Sequence, residues 1–364
     1  MSRASACPLA ERLGIALPII QAPMAGVQGS ALALAVMQAG GLGSLPAAAL
    51  TPELLRAELA RLRQAGRPYN VNFFCHTPPL PDPAREAAWR ASLAPYYAEY
   101  DIDATGIAAG AGRSPFSAEL ADLLEDYRPP VVSFHFGLPS PALMDRLRGW
   151  GSRILSSATT VEEALWLERH GVDAVIAQGL EAGGHRGFFL TRDVGTQLGT
   201  FALLPQIVSA VRVPVIAAGG IVDAQTVAAA FALGASGVQA GTAYLLCPET
   251  STSAVHRAAL LAAAPSQLKS QAPAGPRSDT ALTTLFTGGA ARGIVNRAMR
   301  ELGALNNAAP AFPLATAAIA PLRAAAEQAG RGDFSPLWCG QNARGCRAVP
   351  AAEITRSLAA GLPA

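Results

Sequence analysis

Two of the five histidines stand where their chemistry can be used. His185 follows a glycine pair in QGLEAGGHRG (Gln178–Gly187), just after the apolar run DAVIAQ. Glycines let backbone approach a ligand closely, and the imidazole beside them can donate or accept a hydrogen bond. His135 closes the run PVVSFHFG. In an extended strand Val131, Ser133 and His135 share one face, and Val132, Phe134 and Phe136 share the other. The apolar face suits a layer of helices, so Ser133 and His135 look into the interior. The same alternation turns Asn70 and Asn72 inward, Gln178 inward beside Ile176, and Gln239 inward beside Gly241. Buried amides need partners. A planar ligand rich in donors and acceptors, such as an isoalloxazine ring, would supply them. A watered polar pocket, paired amides and a hydrogen-bonded core histidine are the structural alternatives.

Small residues mark a second kind of site. VPVIAAGGI (Val213–Ile221) ends at Gly219 and Gly220, and GVQAGTAYL (Gly237–Leu245) passes through Ala240, Gly241 and Thr242. Turns of this composition bind phosphate through backbone N–H groups, although tight turns alone also require glycine. In QAPMAG (Gln21–Gly26), Pro23 and Met24 offer an apolar shelf for a flat ring. GxSxG, HExxH and GxxxxGK[ST] are missing, which argues against serine hydrolase, zinc protease and P-loop chemistry.

The elements that must hold these residues repeat as strand then helix. Strand candidates are Ile19–Pro23, Gly41–Leu45, Tyr69–Phe74, Pro130–Phe136, Arg153–Ser157, Asp173–Gln178, Val213–Ala217 and Gly237–Ala240. Helices are expected between them, including Thr51–Ala65, Thr160–His170, Thr200–Val211 and Ala224–Leu233, several opening on a capping Thr or Asp. Eight such units predict an α/β (β/α)8 TIM barrel, with His135 at the C-terminal end of its strand, where barrel active sites are built. An open dinucleotide-binding sheet is disfavoured, because GLGSLP at Gly41 and GAGRSP at Gly110 both put proline where the third glycine belongs. The segment 76–115 is long, Pro-rich and aromatic, and is expected over the barrel mouth. The expected division is a barrel over 1–246 and a mainly helical cap over 247–364. The cap helices are read at Ser253–Ala264, Gly289–Leu302, Ala315–Ala329 and Ala351–Ala360.

Composition bounds the partners. The chain is 51% hydrophobic, ample for a large core, and carries 28 basic against 26 acidic residues with no run of one sign. Nucleic acid and anionic membrane are therefore poor partners. No stretch predicts a membrane span or a signal peptide, so the expected location is cytoplasmic. Five cysteines without CxxC spacing read as free thiols, including Cys339 and Cys346, and no metal site is expected.

The chain resembles the class I nitronate monooxygenases, formerly called 2-nitropropane dioxygenases. The matching stretches are QAPMAG, VNFF (Val71–Phe74), SFHFG (Ser133–Gly137), QGLEAGGHRG, IAAGGI, GVQAGT, FTGGAARGIVN (Phe286–Asn296) and WCGQ (Trp338–Gln341). The resemblance implies FMN held by Pro23, Met24, Asn72, Gln178, Gly183, Gly184, Gly219, Gly220, Gln239, Ala240, Gly241 and Thr242. It implies His135 and His185 as the catalytic histidines. The implied reaction oxidises an alkyl nitronate or nitroalkane with O2 to a carbonyl compound and nitrite, through a flavin semiquinone. Propionate 3-nitronate is the implied favoured substrate, and a monomer or homodimer the implied assembly. The flavin-binding stretches are shared with NAD(P)H-dependent reductases of quinones and enoyl thioesters, which form the alternative reading. One stretch departs from the family: Phe312, Thr316 and Ala320 stand where it has two tyrosines and a lysine facing the substrate. That predicts a more apolar pocket wall with fewer donors for a carboxylate.

Overall fold

The computed structural model describes residues 8–107, 113–263 and 279–363. Cys7 and the start of the GAGRSP stretch lie outside them. The strands are β1 (Ile19–Gln21), β2 (Gly43–Pro46), β3 (Tyr69–Phe74), β4 (Val131–His135), β5 (Arg153–Ala158), β6 (Ala174–Gln178), β7 (Gly184–His185), β8 (Val215–Ala218), β9 (Gly237–Ala240), β10 (Thr280–Thr283) and β11 (Ala291–Ile294). The helices are α1 (Pro8–Leu13), α2 (Ser30–Gln38), α3 (Pro52–Gln64), α4 (Pro83–Glu99), α5 (Ala118–Glu125), α6 (Pro141–Gly149), α7 (Val161–Arg169), α8 (Thr200–Ala210), α9 (Ala224–Ala232), α10 (Ala254–Ala263), α11 (Arg297–Glu301), α12 (Thr316–Gln328) and α13 (Ala351–Ala359).

All eight expected strands form. They pair in parallel in the order β1-β9-β8-β6-β5-β4-β3-β2. A parallel bridge between Ile20 and Leu42, with Gln21 N–H donating to Leu42 O, joins β1 to β2. The sheet is thus a barrel of the (β/α)8 kind. Strand alternation sorts the side chains as the sequence requires. Val71, Phe73, Val132 and Phe134 pack outward among helices. Ile20, Leu42, Val131, Leu155, Ile176 and Ile216 fill the barrel interior, and α1 stoppers its N-terminal end with Leu9 and Leu13. Burying side chains of this size contributes about 1.5–3 kcal/mol each. Expected caps are in place: Thr51 accepts from Leu54 N–H, Thr160 from Glu163 N–H and Asp223 from Thr226 N–H.

The cap is assembled from two distant segments. Helix α4, from the 76–115 insertion, packs on α12. Trp89 Nε1–H donates to Ala315 O and Tyr97 O–H to Ala318 O. Two features differ from expectation. The helix read over Gly289–Leu302 is only α11 at its end. Residues Ala291–Ile294 form β11, which pairs antiparallel with β10 on one side and with β7 on the other. The final helix α13 leaves the cap and packs against α2 and α9, with Ile354 and Leu358 in the main core. It completes the helical ring of the barrel after the excursion that follows β9.

Candidate active site

A cavity opens at the C-terminal ends of the barrel strands. His135, the last residue of β4, borders it and is held at both ring nitrogens. Its Nε2 lies 3.1 Å from the carbonyl oxygen of His185, and its Nδ1 lies 3.1 Å from Ser157 Oγ on β5. A carbonyl only accepts, so Nε2 carries the proton and Nδ1 accepts from the Ser157 hydroxyl. Burial lowers the His135 pKa to about 4, against the raising effect of the His185 carbonyl. The imidazole is therefore neutral at pH 7 and has one fixed tautomer. His185 Nε2 lies 2.9 Å from Thr287 Oγ1 in the cap. Burial first, then the charges of Arg113, His135 and His76, push its pKa well below the usual histidine value.

The loop between Gln178 and Gly187 positions both histidines, and buried polar groups position the loop. Gln178 donates to His185 O and accepts from Gly187 N–H, which closes the loop on itself. Arg186, 1% exposed, donates to the carbonyls of Gln178 and Gly179 and to Gln197 Oε1. Burial lowers its pKa only to about 10, so it stays charged. Glu181 accepts from Thr200 N–H and Oγ, so its carboxylate caps the start of α8, which has no capping side chain of its own. Arg292 on β11 reaches back to Leu180 O. The chain 338–342 then lies on the loop: Gln341 N–H donates to Glu181 O and Gly340 N–H to Thr242 Oγ1. A Cβ on Gly183 would sit 2.5 Å from Gly340 N, so this glycine is required by the chain covering it.

The opposite wall carries the small residues. Gly219 and Gly220 adopt φ of +119° and +76°, a backbone region that favours glycine. Asp223 caps α9 itself, so an anion at this turn would meet the loop N–H groups rather than the helix end. Gln239 Oε1 is buried against the cavity with no partner. An orphaned amide oxygen costs about 1–3 kcal/mol. A flavin ring, whose edge carries an N–H donor, fits that position. The cavity also offers the thioether of Met24 and the amides of Asn72 and Gln178.

The family model described as Nitronate monooxygenase matches residues 7–361. The chain belongs to the nitronate monooxygenase family. It is 43% identical over 353 residues to a nitronate monooxygenase of Pseudomonas aeruginosa, covering 95% of this chain and 96% of that one. It is 42% identical to a nitronate monooxygenase of Paraburkholderia phytofirmans, covering 95% and 92%. Among solved structures it is similar to nitroalkane oxidase from Streptomyces ansochromogenes, at 40% identity and TM-score 0.84, covering 97% and 96% of the two chains. FabK from Thermotoga maritima is more distant, at 26% identity and TM-score 0.67, covering 96% and 94%.

In this chain the structure brings Pro23, Met24, Asn72, His135, Gln178, Gly183, Gly184, His185, Gly219, Gly220, Gln239, Gly241 and Thr242 around one cavity. Ala240 is placed differently. Its side chain points into the outer core, as the alternation of β9 demands, and only its backbone faces the neighbouring β1, accepting from Ala22 N–H. The departing wall also differs from the expectation. Phe312 does approach the site, 5.1 Å from the His185 ring and 4.9 Å from the His76 ring. Thr316 and Ala320 are exposed on α12 and do not border the cavity, and the Thr316 hydroxyl donates to Phe286 O. Sequence reasoning passed over Ser157, Glu181, Arg186, Arg292, Gly340 and Asn342. For Ser157 the signal was present: in ILSSAT it shares the inward face of β5 with Leu155.

Proposed function

We propose that this chain binds FMN at the C-terminal end of its barrel and oxidises alkyl nitronates with O2, without a nicotinamide coenzyme, to a carbonyl compound and nitrite. The observation that carries this reading is a neutral His135, fixed in one tautomer, on the same cavity as the orphaned Gln239 oxygen. When bound, FMN accepts electrons from the nitronate and O2 completes the reaction. Met24 and Pro23 give the ring an apolar contact, Gln239 and Gln178 orient its polar edge, and the turns at Gly219–Gly220 and Gly241–Thr242 meet the phosphate. His135 takes the α-proton when a neutral nitroalkane enters. Its lone pair is on Nδ1, so the Ser157 hydroxyl turns aside as that proton arrives. His185, braced by Thr287, forms the substrate wall with Phe312 and Trp338. Four unpaired cysteines, Cys75, Cys247, Cys339 and Cys346, suit the reducing cytoplasm in which we place the protein, acting as a monomer or homodimer. Among the described residues no helix is long and apolar enough to cross a membrane.

The test is oxygen uptake and nitrite release by the purified yellow protein given ethyl nitronate and no nicotinamide. Parallel anaerobic samples receive NADH or NADPH while the flavin absorbance is followed. Nitrite formation, with no bleaching by either nicotinamide, is the expected result. Rapid bleaching by a nicotinamide without nitrite formation would move the chain to the reductases.

A further inference from the structure

Among the described residues three that are not glycine hold a left-handed backbone: Asp101, Arg128 and Phe136. Asp101 and Arg128 are exposed and follow α4 and α5, where a left-handed residue commonly ends a helix. Phe136 is different. It follows His135 directly, is half-buried, and has φ of +69°, an outlier for a bulky side chain. Such a conformation persists only where its surroundings enforce it. Here both flanks are tied. His135 O accepts from Cys75 N–H at 2.8 Å, and Gly137 O accepts from the Ser156 hydroxyl at 2.9 Å.

The strained turn changes where the ring goes. Strand alternation would send Phe136 outward with Phe134, which packs among the helices. The left-handed backbone instead sets it beside the histidines. Its ring centre lies 4.6 Å from that of His135, edge-on, and 5.2 Å from those of Phe74 and Phe312. The next ring from His135, that of Phe74, is at 6.0 Å. The polar groups facing His135 are Ser157 on β5, the His185 carbonyl on β7, and the charge of Arg186 beyond it. His76 packs on both phenylalanines, Arg113 stands over Phe74, and Glu181 is turned to the start of α8. Burial is the largest cause of the lowered His135 pKa, the His185 carbonyl opposes it, and the Arg186 charge adds to it. Apolar atoms against the imidazole supply that burial. We propose that Phe136 is a positioning residue for proton abstraction: its left-handed backbone lays the ring against His135, where it keeps water off the imidazole and holds it between Ser157 and the His185 carbonyl. This rests on the nitronate-oxidising reading above, in which His135 is the base.

The experiment compares the FMN-loaded wild type with Phe136→Gly and Phe136→Leu. Glycine removes the ring and suits the left-handed backbone, whereas leucine keeps apolar bulk. Flavin content and thermal midpoint check that each variant is folded, and Phe136→Ala replaces the glycine variant if that one is not. The His135 imidazole is titrated by NMR on protein labelled at histidine, with His135→Asn assigning its signal. The pH dependence of kcat/KM is measured on nitroethane and on ethyl nitronate. Without the ring the His135 pKa should rise from about 4 by at least about one unit towards its ordinary value, and the acid limb of the nitroethane profile should move up with it. At neutral pH nitroethane kcat/KM should fall about tenfold, as expected for a misplaced base, and ethyl nitronate kcat/KM much less. Phe136→Leu should restore most of the pKa and of the nitroethane rate. A His135 titration in the glycine variant that superimposes on the wild type would overturn the proposal. So would a leucine variant that behaves like the glycine one. If the wild type oxidises neither substrate, the nitronate reading fails, while the NMR titration still decides whether Phe136 shields His135.

Discussion

His135 has a neighbour on each side and a third above it. Ser157 and the His185 carbonyl hold its two nitrogens, and Gly187 leaves room for the ring. A Cβ at position 187 would lie 2.7 Å from His135 Cε1. The substitution Gly187→Ala should therefore rotate the imidazole out of both contacts. The expected effect is a loss of at least about tenfold in kcat/KM for neutral nitroethane, with flavin content retained. His135→Asn removes the base and should cost about 100-fold or more on nitroethane. Ethyl nitronate is already the deprotonated form, needs no base to generate it, and should suffer less. Equal losses on the two substrates would remove proton abstraction from the role of His135. The pH dependence follows from the same burial. The base form is present above the lowered pKa, so nitroethane kcat/KM should stay level from neutral pH to about 5. It should then fall as pH passes through about 4. At this scale the sequence was informative, because strand alternation alone turned His135, Asn72 and Gln178 inward. It was silent on Arg186, since no period or motif distinguishes a buried arginine from a surface one.

Elements carry the precision of the site, and backbone contacts between distant elements are what the sequence conceals most. The glycine pair in QGLEAGGHRG reads as room for a ligand, yet the atoms nearest a Cβ on Gly183 belong to Cys339 and Gly340. A Cβ on Gly340 would in turn lie 2.8 Å from Glu181 O. The two chain segments touch backbone to backbone, joined by the bond from Gln341 N–H to Glu181 O. Gly183→Ala should push 338–342 off the loop, break that bond and free Thr242 Oγ1 from Gly340. The measurable outcome is faster loss of flavin on dialysis and a lower thermal midpoint, on the order of several degrees for 1–2 kcal/mol. An unchanged flavin off-rate would show that 338–342 does not close the cofactor end. The misread helix over Gly289–Leu302 has the same origin. ARGI is too short and mixed to show a strand period, and β11 exists because β7 and β10 flank it. Most of the barrel strands were legible as short apolar runs alternating with helical segments, and β6, β8 and β9 run directly into glycine.

The whole molecule is a barrel whose cap returns to it more than once, and His256 sits where those returns meet. It lies on α10, is 4% exposed, and donates from Nε2 to Trp338 O at 3.1 Å. Trp338 in turn packs on His185 and Phe286, so one hydrogen bond links α10, the 338–342 segment and the cavity wall at His185. Burial lowers the His256 pKa to about 4, outweighing the raising effects of the Trp338 carbonyl and Glu327, with Arg323 and Arg257 also lowering it. In the unfolded chain the same group titrates near 6.5. Between those values the unfolded state binds the extra proton, so stability must fall as pH drops from about 6.5 to about 4 and is fully present above that window. One such group contributes a slope of at most about 1.4 kcal/mol per pH unit. Urea unfolding of wild type and His256→Gln at pH 7.5, 6.5, 5.5 and 4.5 isolates this share from the other histidines. The glutamine variant should be the less stable at pH 7.5, where the native histidine bond is intact, and the gap should narrow steadily towards pH 4.5. Parallel curves would mean that His256 takes up its proton equally in both states, and that the link between α10 and the cavity wall at His185 does not depend on its neutrality.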